Sequence, residues 1–433
     1  MPNALPNALR RLRPWGQRVS VRPTARGWQA ILFGGLSLVA ALLVGTTQIY
    51  QLAYALAGLL LAALVLGLFF SRGLRYARRI PEGERPTVGR SSPVELTVSN
   101  VFRTHSPNVE VVDRLPERRT FRGLPVLGFE TREIREPVLF AKRGLYELGP
   151  AEIRTTDPFA LLRFVRRFGT RTEVTVYPEV FELAGFPLRG KKGDAGTLGS
   201  FAQRGDEFSG LREYRRGDDR RHIHWKSVAR TGELVVKEFA QESPQRHAVV
   251  LDLRRPGIGA IEAEVEDAVS AAGSVLYHLV REGISFRLLC TDKGRGATAF
   301  GADEAAYWRA MDLLAVARAD GDGEPGEILI EKLREGFTAE ELGEGVVLIS
   351  RSLGDGLAQS VEKLRAAGLS VIVVALAAHT YWTGGAASRR EGVFSGYLRQ
   401  LELAGAGVCV VRCAGGVAAL AGARRVVNAR GAV

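Results

Sequence analysis

Between Arg26 and Arg72 the chain carries no charged side chain. About 45 uncharged and mostly apolar positions are enough for two helical passes of about 20 residues each. The pattern places them at 28–46 and 52–70, with Thr47-Gln48-Ile49-Tyr50-Gln51 as the polar interruption. Tyr50 suits the interfacial belt where aromatic rings settle, and Trp15 and Trp28 suit the opposite face. Arginines crowd both ends of the run: Arg10, Arg11, Arg13, Arg18, Arg22 and Arg26 before it, Arg72, Arg75, Arg78 and Arg79 after it. Basic flanks are retained on the cytoplasmic side, so the expectation is a two-helix transmembrane hairpin with both ends in the cytoplasm. A cleaved signal peptide fits poorly, because a second apolar pass follows and ends on a basic cluster.

Past Arg79 the period changes to two. Residues 93–98 and 172–177 alternate apolar and polar side chains, and 108–113 and 132–138 follow the same template. Gly144, Gly149-Pro150 and Asp157-Pro158 punctuate the runs. Short strands at close spacing predict an antiparallel β-sandwich of about seven strands. From Arg246 onward, continuous apolar strands at 248–252, 284–290, 346–350, 370–375 and 408–411 alternate with helical stretches at 262–281, 304–318, 357–367 and 394–404. That alternation predicts a parallel sheet covered on both faces, an α/β Rossmann-like domain.

The formal net charge of +12 belongs mostly to one place. Residues 1–80 hold the ten arginines named above and no lysine or acid, which leaves 12 − 10 = +2 for the remainder. A nucleic-acid-binding domain would carry its excess on the folded part, so no nucleic acid is expected as a partner. The arginine-rich flanks are expected instead to meet anionic membrane lipids. Three cysteines, Cys290, Cys409 and Cys413, cannot build a disulfide framework and suit a reducing compartment, with Cys409 and Cys413 expected as small buried apolar residues.

Between the two patterned regions lies a segment dense in glycine, charge and aromatics. It contains Glu207-Phe208, Leu211-Arg212-Glu213-Tyr214, Gly217-Asp218-Asp219, Arg221, Ile223-His224-Trp225, Ala229-Arg230 and Leu234-Val235-Val236-Lys237-Glu238. In these motifs the chain resembles the family known as domain of unknown function 58. The resemblance implies a multidomain plan: a basic cytoplasmic arm (1–27), the hairpin (28–71), the β-sandwich (80–185), the charged signature segment (186–245), a von Willebrand factor A-type α/β domain (246–414) and a tail (415–433). It also implies a membrane-anchored partner of MoxR-type AAA+ ATPases, acting in complex assembly or activation at the cell inner membrane. No reaction is established for that family.

The residues of the signature suggest chemistry of their own. Carboxylates and arginines interleaved at this density form paired networks or a docking surface, and aromatic and arginine side chains are the usual interface anchors. The candidate docking residues are Arg212, Glu213, Tyr214, Asp218, Asp219, Arg221, His224, Trp225 and Arg230. Tyr214 and Trp225 are also candidates to anchor the segment on a core. The alternative is a metal-dependent hydrolase holding its ion between His222, His224, Asp218 and Asp219, donors suited to a first-row divalent metal. In the α/β domain, the resemblance implies a metal loop of the form Asp-x-Ser-x-Ser, which here reads Asp252-Leu253-Arg254-Arg255-Pro256. Arg254 stands at the first serine position, and a guanidinium pairs with a carboxylate rather than ligating a cation. Thr291, Asp292, Ser350, Ser352 and Asp355 stand at later strand ends. No cofactor is expected, and Gly190-Lys191-Lys192-Gly193 lacks the spacing of a phosphate-binding loop, so any ATP belongs to a partner.

Overall fold

The uncharged run folds as two helices, α1 (Ala25–Val44) and α2 (Thr47–Arg72). The computed structural model describes residues 19–183, 185–187, 208–214, 223–239, 246–255, 262–381 and 387–422. Thr24 starts α1 by accepting a hydrogen bond from Gly27 N at 3.1 Å, and Gly45 ends it at φ 74°, a left-handed conformation that favours glycine. The turn is therefore only Gly45-Thr46. The expected connector at 47–51 is instead the first turn and a half of α2, because a helix satisfies those polar backbones internally. Both helices are long and apolar enough to cross a membrane, with mean hydropathies of 1.9 and 2.5. Their outward side chains are apolar, Leu32 and Leu43 among them.

The chain divides into two compact units, one up to Glu179 and one from Val180. The first continues from the helices into β1 (Val19–Pro23), β2 (Leu74–Arg79), β3 (Ser91–Asn100), β4 (Ser106–Leu115), β5 (Glu117–Val126), β6 (Thr131–Leu139), β7 (Gly144–Leu148), β8 (Ala151–Thr156), β9 (Leu162–Phe168) and β10 (Thr172–Val176). They form antiparallel sheets in the orders β1-β9-β8-β4-β5, β2-β3-β6 and β10-β7. All three sheets feed one core that includes Tyr76, Val94, Val111, Phe140, Ile153 and Val176.

Strands β1 and β2 lie in stretches read from sequence as basic flanks. In β2, Leu74, Tyr76 and Arg78 share the buried face. Arg78 is no lipid-facing residue: its side chain is wholly buried and grips Asp113, itself fully buried. Nε of Arg78 lies 2.8 Å from Asp113 Oδ2, Nη2 reaches Oδ1, Nη1 donates to Leu148 O at 2.6 Å, and the Tyr76 hydroxyl donates to Oδ2. Arg79 is exposed but pairs with Glu95 at 2.7 Å.

The second unit holds β11 (Phe208–Glu213), α3 (Trp225–Thr231), β12 (Val235–Phe239), β13 (Arg246–Leu251), α4 (Glu262–Arg281), β14 (Ser285–Cys290), α5 (Glu304–Val316), α6 (Glu327–Arg334), α7 (Ala339–Leu342), β15 (Gly345–Ser350), α8 (Asp355–Ala366), β16 (Ser370–Leu376), α9 (Ala387–Leu403) and β17 (Gly407–Val411). The parallel sheet runs β14-β13-β15-β16-β17, each neighbour parallel to the next. Every residue of β15 is buried, as expected for a strand covered on both faces. α4 buries Val265, Ala268, Val269, Ala272, Val275, Leu276 and Leu279 at its helical period. Val417 and Leu420 are buried in a 3₁₀ turn at Val417–Gly422, so the start of the expected tail is part of the packed unit. Cys290 and Cys409 are buried, whereas Cys413 is exposed.

Two stability predictions follow from buried polar groups. Asp113→Ala strands the Arg78 guanidinium and should cost about 3–5 kcal/mol, read as a lowered denaturation midpoint of the detergent-solubilised chain. His247, 2% exposed on β13, has its imidazole pushed down from 6.5 to about 4 by burial. The unfolded chain then takes up a proton that the folded chain refuses. Stability present above pH 6.5 should fall by about 3 kcal/mol as the pH drops toward 4. His247→Phe should flatten that part of the stability–pH curve.

Candidate functional site

In the parallel sheet, the chain leaves β13 toward β14 on one side and leaves β15 toward β16 on the other. Such a reversal opens a crevice beyond the carboxyl ends of the two central strands, where α/β sheets bind ligands. The residues following those ends are Asp252 and Arg351. Asp252 is fully buried and held by Arg254 in a fork, with Nε–Oδ1 at 2.9 Å and Nη2–Oδ2 at 2.8 Å. The remaining Arg254 nitrogen, Nη1, meets Glu324 at 2.7 Å, and Nη2 also donates to Ser352 O at 3.1 Å.

Arg351, 5% exposed, closes the crevice from the β15 side. Its backbone N donates to Asp252 Oδ2 at 3.3 Å, its Nε to Asp252 O at 3.2 Å and its Nη2 to Arg254 O. Its Nη1 lies 3.8 Å from Glu264 Oε1 on α4. Ser350 Oγ is 2.9 Å from Ser352 O and 3.2 Å from Asp252 Oδ2, and its single proton serves one acceptor at a time. Thr291 Oγ1, beyond β14, accepts from Leu253 N at 2.7 Å.

These contacts set the charges. Burial pushes the Asp252 carboxyl up, but the hydrogen bonds and charge of Arg254, with Arg351 behind, outweigh it and hold the group below its usual range. Burial dominates at Glu264 and pushes that carboxyl up despite Arg351. Two guanidiniums and three carboxylates thus form one closed set in which Arg254 is the cation facing Asp252. Among the described residues, no three His, Cys, Asp or Glu side chains cluster to hold a metal ion.

The signature segment forms its own small layer. β11 pairs antiparallel with β12, Arg212 opposite Val236 and Glu213 opposite Val235. On the other side of β12, buried Ile223 bridges Val236 and His224 N donates to Val235 O at 2.9 Å. Arg212, Glu213 and His224 are therefore brought to the two sides of one dipeptide, with Tyr214 N donating to Leu234 O at 2.9 Å beside them. His224 precedes α3 and sets its Nδ1 2.8 Å from Ser227 Oγ. Trp225, the first residue of α3, is 64% exposed. Ile223 takes the core position that an anchoring tryptophan would have filled. Arg230 is exposed in the last turn. Asp218, Asp219, Arg221 and His222 lie outside the described residues.

Sequence reasoning brought Asp252, Arg254, Thr291, Ser350 and Ser352 to the crevice but missed Arg351, Glu264 and Glu324. Arg351 was signalled by its place directly after β15, a buried strand apolar up to Ser350, and Glu264 by its place on the apolar stripe of α4.

Residues 210–378 match the model of a family described as Protein of unknown function DUF58. The match takes in most of β11, all of α3 and β12, and the strands from β13 to β16. No curated protein matches the chain. Among solved structures, the CARDB domain of a Pyrococcus furiosus protein, in complex with di-metal ions, is 13% identical over 24% of this chain and 86% of that one, at a TM-score of 0.19. A GH20 exo-β-N-acetylglucosaminidase from Vibrio harveyi is 8% identical, covering 78% of this chain and 75% of its own, at a TM-score of 0.22. Superpositions at that level establish no common fold.

Arg254→Met should leave Asp252 buried without its fork. The expected cost is about 3–5 kcal/mol at neutral pH, measured by denaturant unfolding. A carboxyl held below its unfolded value contributes stability that is present above that value and lost as the pH falls through the folded one. The gap between wild type and variant should therefore narrow below about pH 4. A gap independent of pH would mean that Asp252 is not the group Arg254 stabilises.

Proposed function

We propose that the chain, whose residues 210–378 match the DUF58 family model, is a membrane-anchored scaffold that docks a MoxR-type AAA+ ATPase, or the client of one, for complex assembly or activation. In this reading α1 and α2 cross the cell inner membrane as a hairpin, both flanks and the folded parts are cytoplasmic, and the second unit is a von Willebrand factor A-like platform. Anionic lipids attract the exposed flanking arginines, and the ATP is bound by the partner.

The observation that carries the reading is Trp225. A tryptophan 64% exposed on a short helix, with Lys226 and Arg230 also exposed on that helix, has the composition of a binding hot spot and lies within the family-matched stretch. The Arg254–Asp252 fork of the parallel sheet supports the same reading. It fills the crevice with an internal cation, leaving a surface to be read by shape and charge.

The test is capture of the tagged full-length protein from native membranes with ATP and Mg²⁺. A MoxR-type ATPase should co-purify with wild type and be depleted at least tenfold by Trp225→Ala, a loss of about 1.4 kcal/mol or more. Asp218→Ala/Asp219→Ala checks the acidic part of the signature. Equal recovery of the ATPase with Trp225→Ala removes Trp225 from the interface, and its absence from every sample removes the partner.

A further inference from the structure

The packing of α2 sets how deep one end of the antiparallel unit sits. A helix rises about 1.5 Å per residue, so a hydrocarbon core of about 30 Å entered at Gly45-Thr46 ends about 20 residues later, near Leu66. Leu59, Leu60, Ala63, Leu64 and Leu68 of α2 share one apolar cluster with Leu161, Leu162 and Phe164. The β8–β9 turn is also tied to the start of α1, where Thr24 N donates to Leu161 O at 2.8 Å and Thr24 Oγ1 to Ala160 O at 2.7 Å. If the hairpin spans, this turn enters the membrane with it.

The turn is built for that position. Pro158-Phe159-Ala160-Leu161 carries no charge, and Phe159 is 44% exposed. Asp157 at its base accepts from the backbone N–H groups of Phe159 and Leu162, so those donors need no water. Trp28, also exposed, lies one turn into α1. A second turn at the same end brings Phe102 against Phe69, ring centroids 6.2 Å apart, and exposed Phe129 donates its N–H to Phe102 O. Counted along α2, these rings reach the interfacial level where aromatic side chains settle.

Beside that turn, on the outward face of the sheet, lies a cleft of about 360 Å³ whose lining includes Asn108, Glu110, Arg122, Arg154, Thr156 and Arg163. Leu162 and Phe164 face α2, and Arg163 between them alternates to the other face, at the level where the hydrocarbon ends. Arg122 lies 3.3 Å from Glu110, and Arg154 lies 4.0 Å from Glu110 and 3.0 Å from Glu152. Among the described residues Arg163 has no carboxylate partner. Directly opposite it in the strand register is Arg22, a like charge. Like charges facing one another across a ladder repel unless an anion sits with them.

We propose that this cleft binds the phosphate of an anionic phospholipid from the leaflet that the β8–β9 turn enters. The inference rests on the hairpin spanning the bilayer. Guanidinium forks match phosphate oxygens, and the site's level along α2 selects a lipid headgroup over phosphate free in solution.

The full-length protein in bilayers of phosphatidylcholine with phosphatidylglycerol tests both parts. A nitroxide at Phe159→Cys, with exposed Cys413 replaced by Ser, should be accessible to oxygen and shielded from a water-soluble nickel complex. The reverse pattern overturns the spanning reading and the depth argument with it. Native mass spectrometry should show phosphatidylglycerol retained over phosphatidylcholine, with at least tenfold less retained by Arg154→Gln/Arg163→Gln at an unchanged melting temperature, and partial recovery in Arg154→Gln/Arg163→Lys. Undiminished retention in the double glutamine variant, with the nitroxide still buried, overturns the cleft while the hairpin stands. Displacement of the lipid by inorganic phosphate at equal concentration assigns the site to free phosphate and overturns the lipid.

Discussion

Leu162 and Phe164 of β9 pack on α2 instead of on another strand, and the rest of the first unit is arranged around that contact. It requires close approach. A Cβ on Gly67 would stand 1.9 Å from the Phe164 ring, and one on Gly27 would stand 2.0 Å from Leu161 O. The end of α2 is held as firmly: Ser106 Oγ donates to Phe70 O at 3.1 Å, and Arg166 Nη1 to Arg72 O and Leu74 O at 3.0 and 2.9 Å. A cation on the last carbonyls also complements the helix dipole. Only Gly73 separates α2 from β2, so the apolar hairpin and the sheets form one body without a flexible linker.

Each unit contains a buried guanidinium–carboxylate fork, and the two do different work. Arg78–Asp113 lies inside the core, where Tyr76 and Leu148 O complete its hydrogen bonds. It fixes how β2 packs across the core on β4 of the other sheet, because any shift would bury an unpaired charge. Arg254–Asp252 lies at the switch point of a parallel sheet, where an open acidic crevice would otherwise remain. There the fork decides what the site can accept: the guanidinium occupies the position that a cation ligated by Asp252 would need.

The legibility of the fold in the sequence followed the strength of its periods. Two apolar passes, the strands with clean alternation and the β–α alternation after Arg246 are all present in the structure. β1 and β2 were hidden because they are short and hold Arg22, Arg75, Arg78 and Arg79, which beside a membrane-like segment resemble a topogenic flank. α6 and α7 are short; a capping box of Thr338 and Glu341 was the one sequence signal for α7. At the crevice, residues adjacent in sequence to strand ends were legible. Glu324 was not, since it reaches Arg254 from a loop 70 residues away. Trp225 was read both as an anchor and as a docking residue, and the choice depended on which of Ile223 and Trp225 filled the core, a matter of helix start that composition does not decide.

The distribution of charge differs between the linear sequence and the fold. Ten arginines around the apolar run account for most of the net charge, and they point to the membrane. Of those described, Arg78 is spent inside the core and Arg79 on Glu95, which leaves Arg22 and Arg26 exposed at one end and, at the other, Arg72 exposed and Arg75 half-buried. Arg163 adds its charge from β9, where it is exposed and sits opposite Arg22 in the register. Linear sequence separates these two residues by more than a hundred positions, so no flank-counting rule joins them. The sheet does, by pairing β1 with β9. The basic surface is therefore a property of the folded edge as much as of the flanks, and its position follows from the same β9–α2 contact that fixes the hairpin.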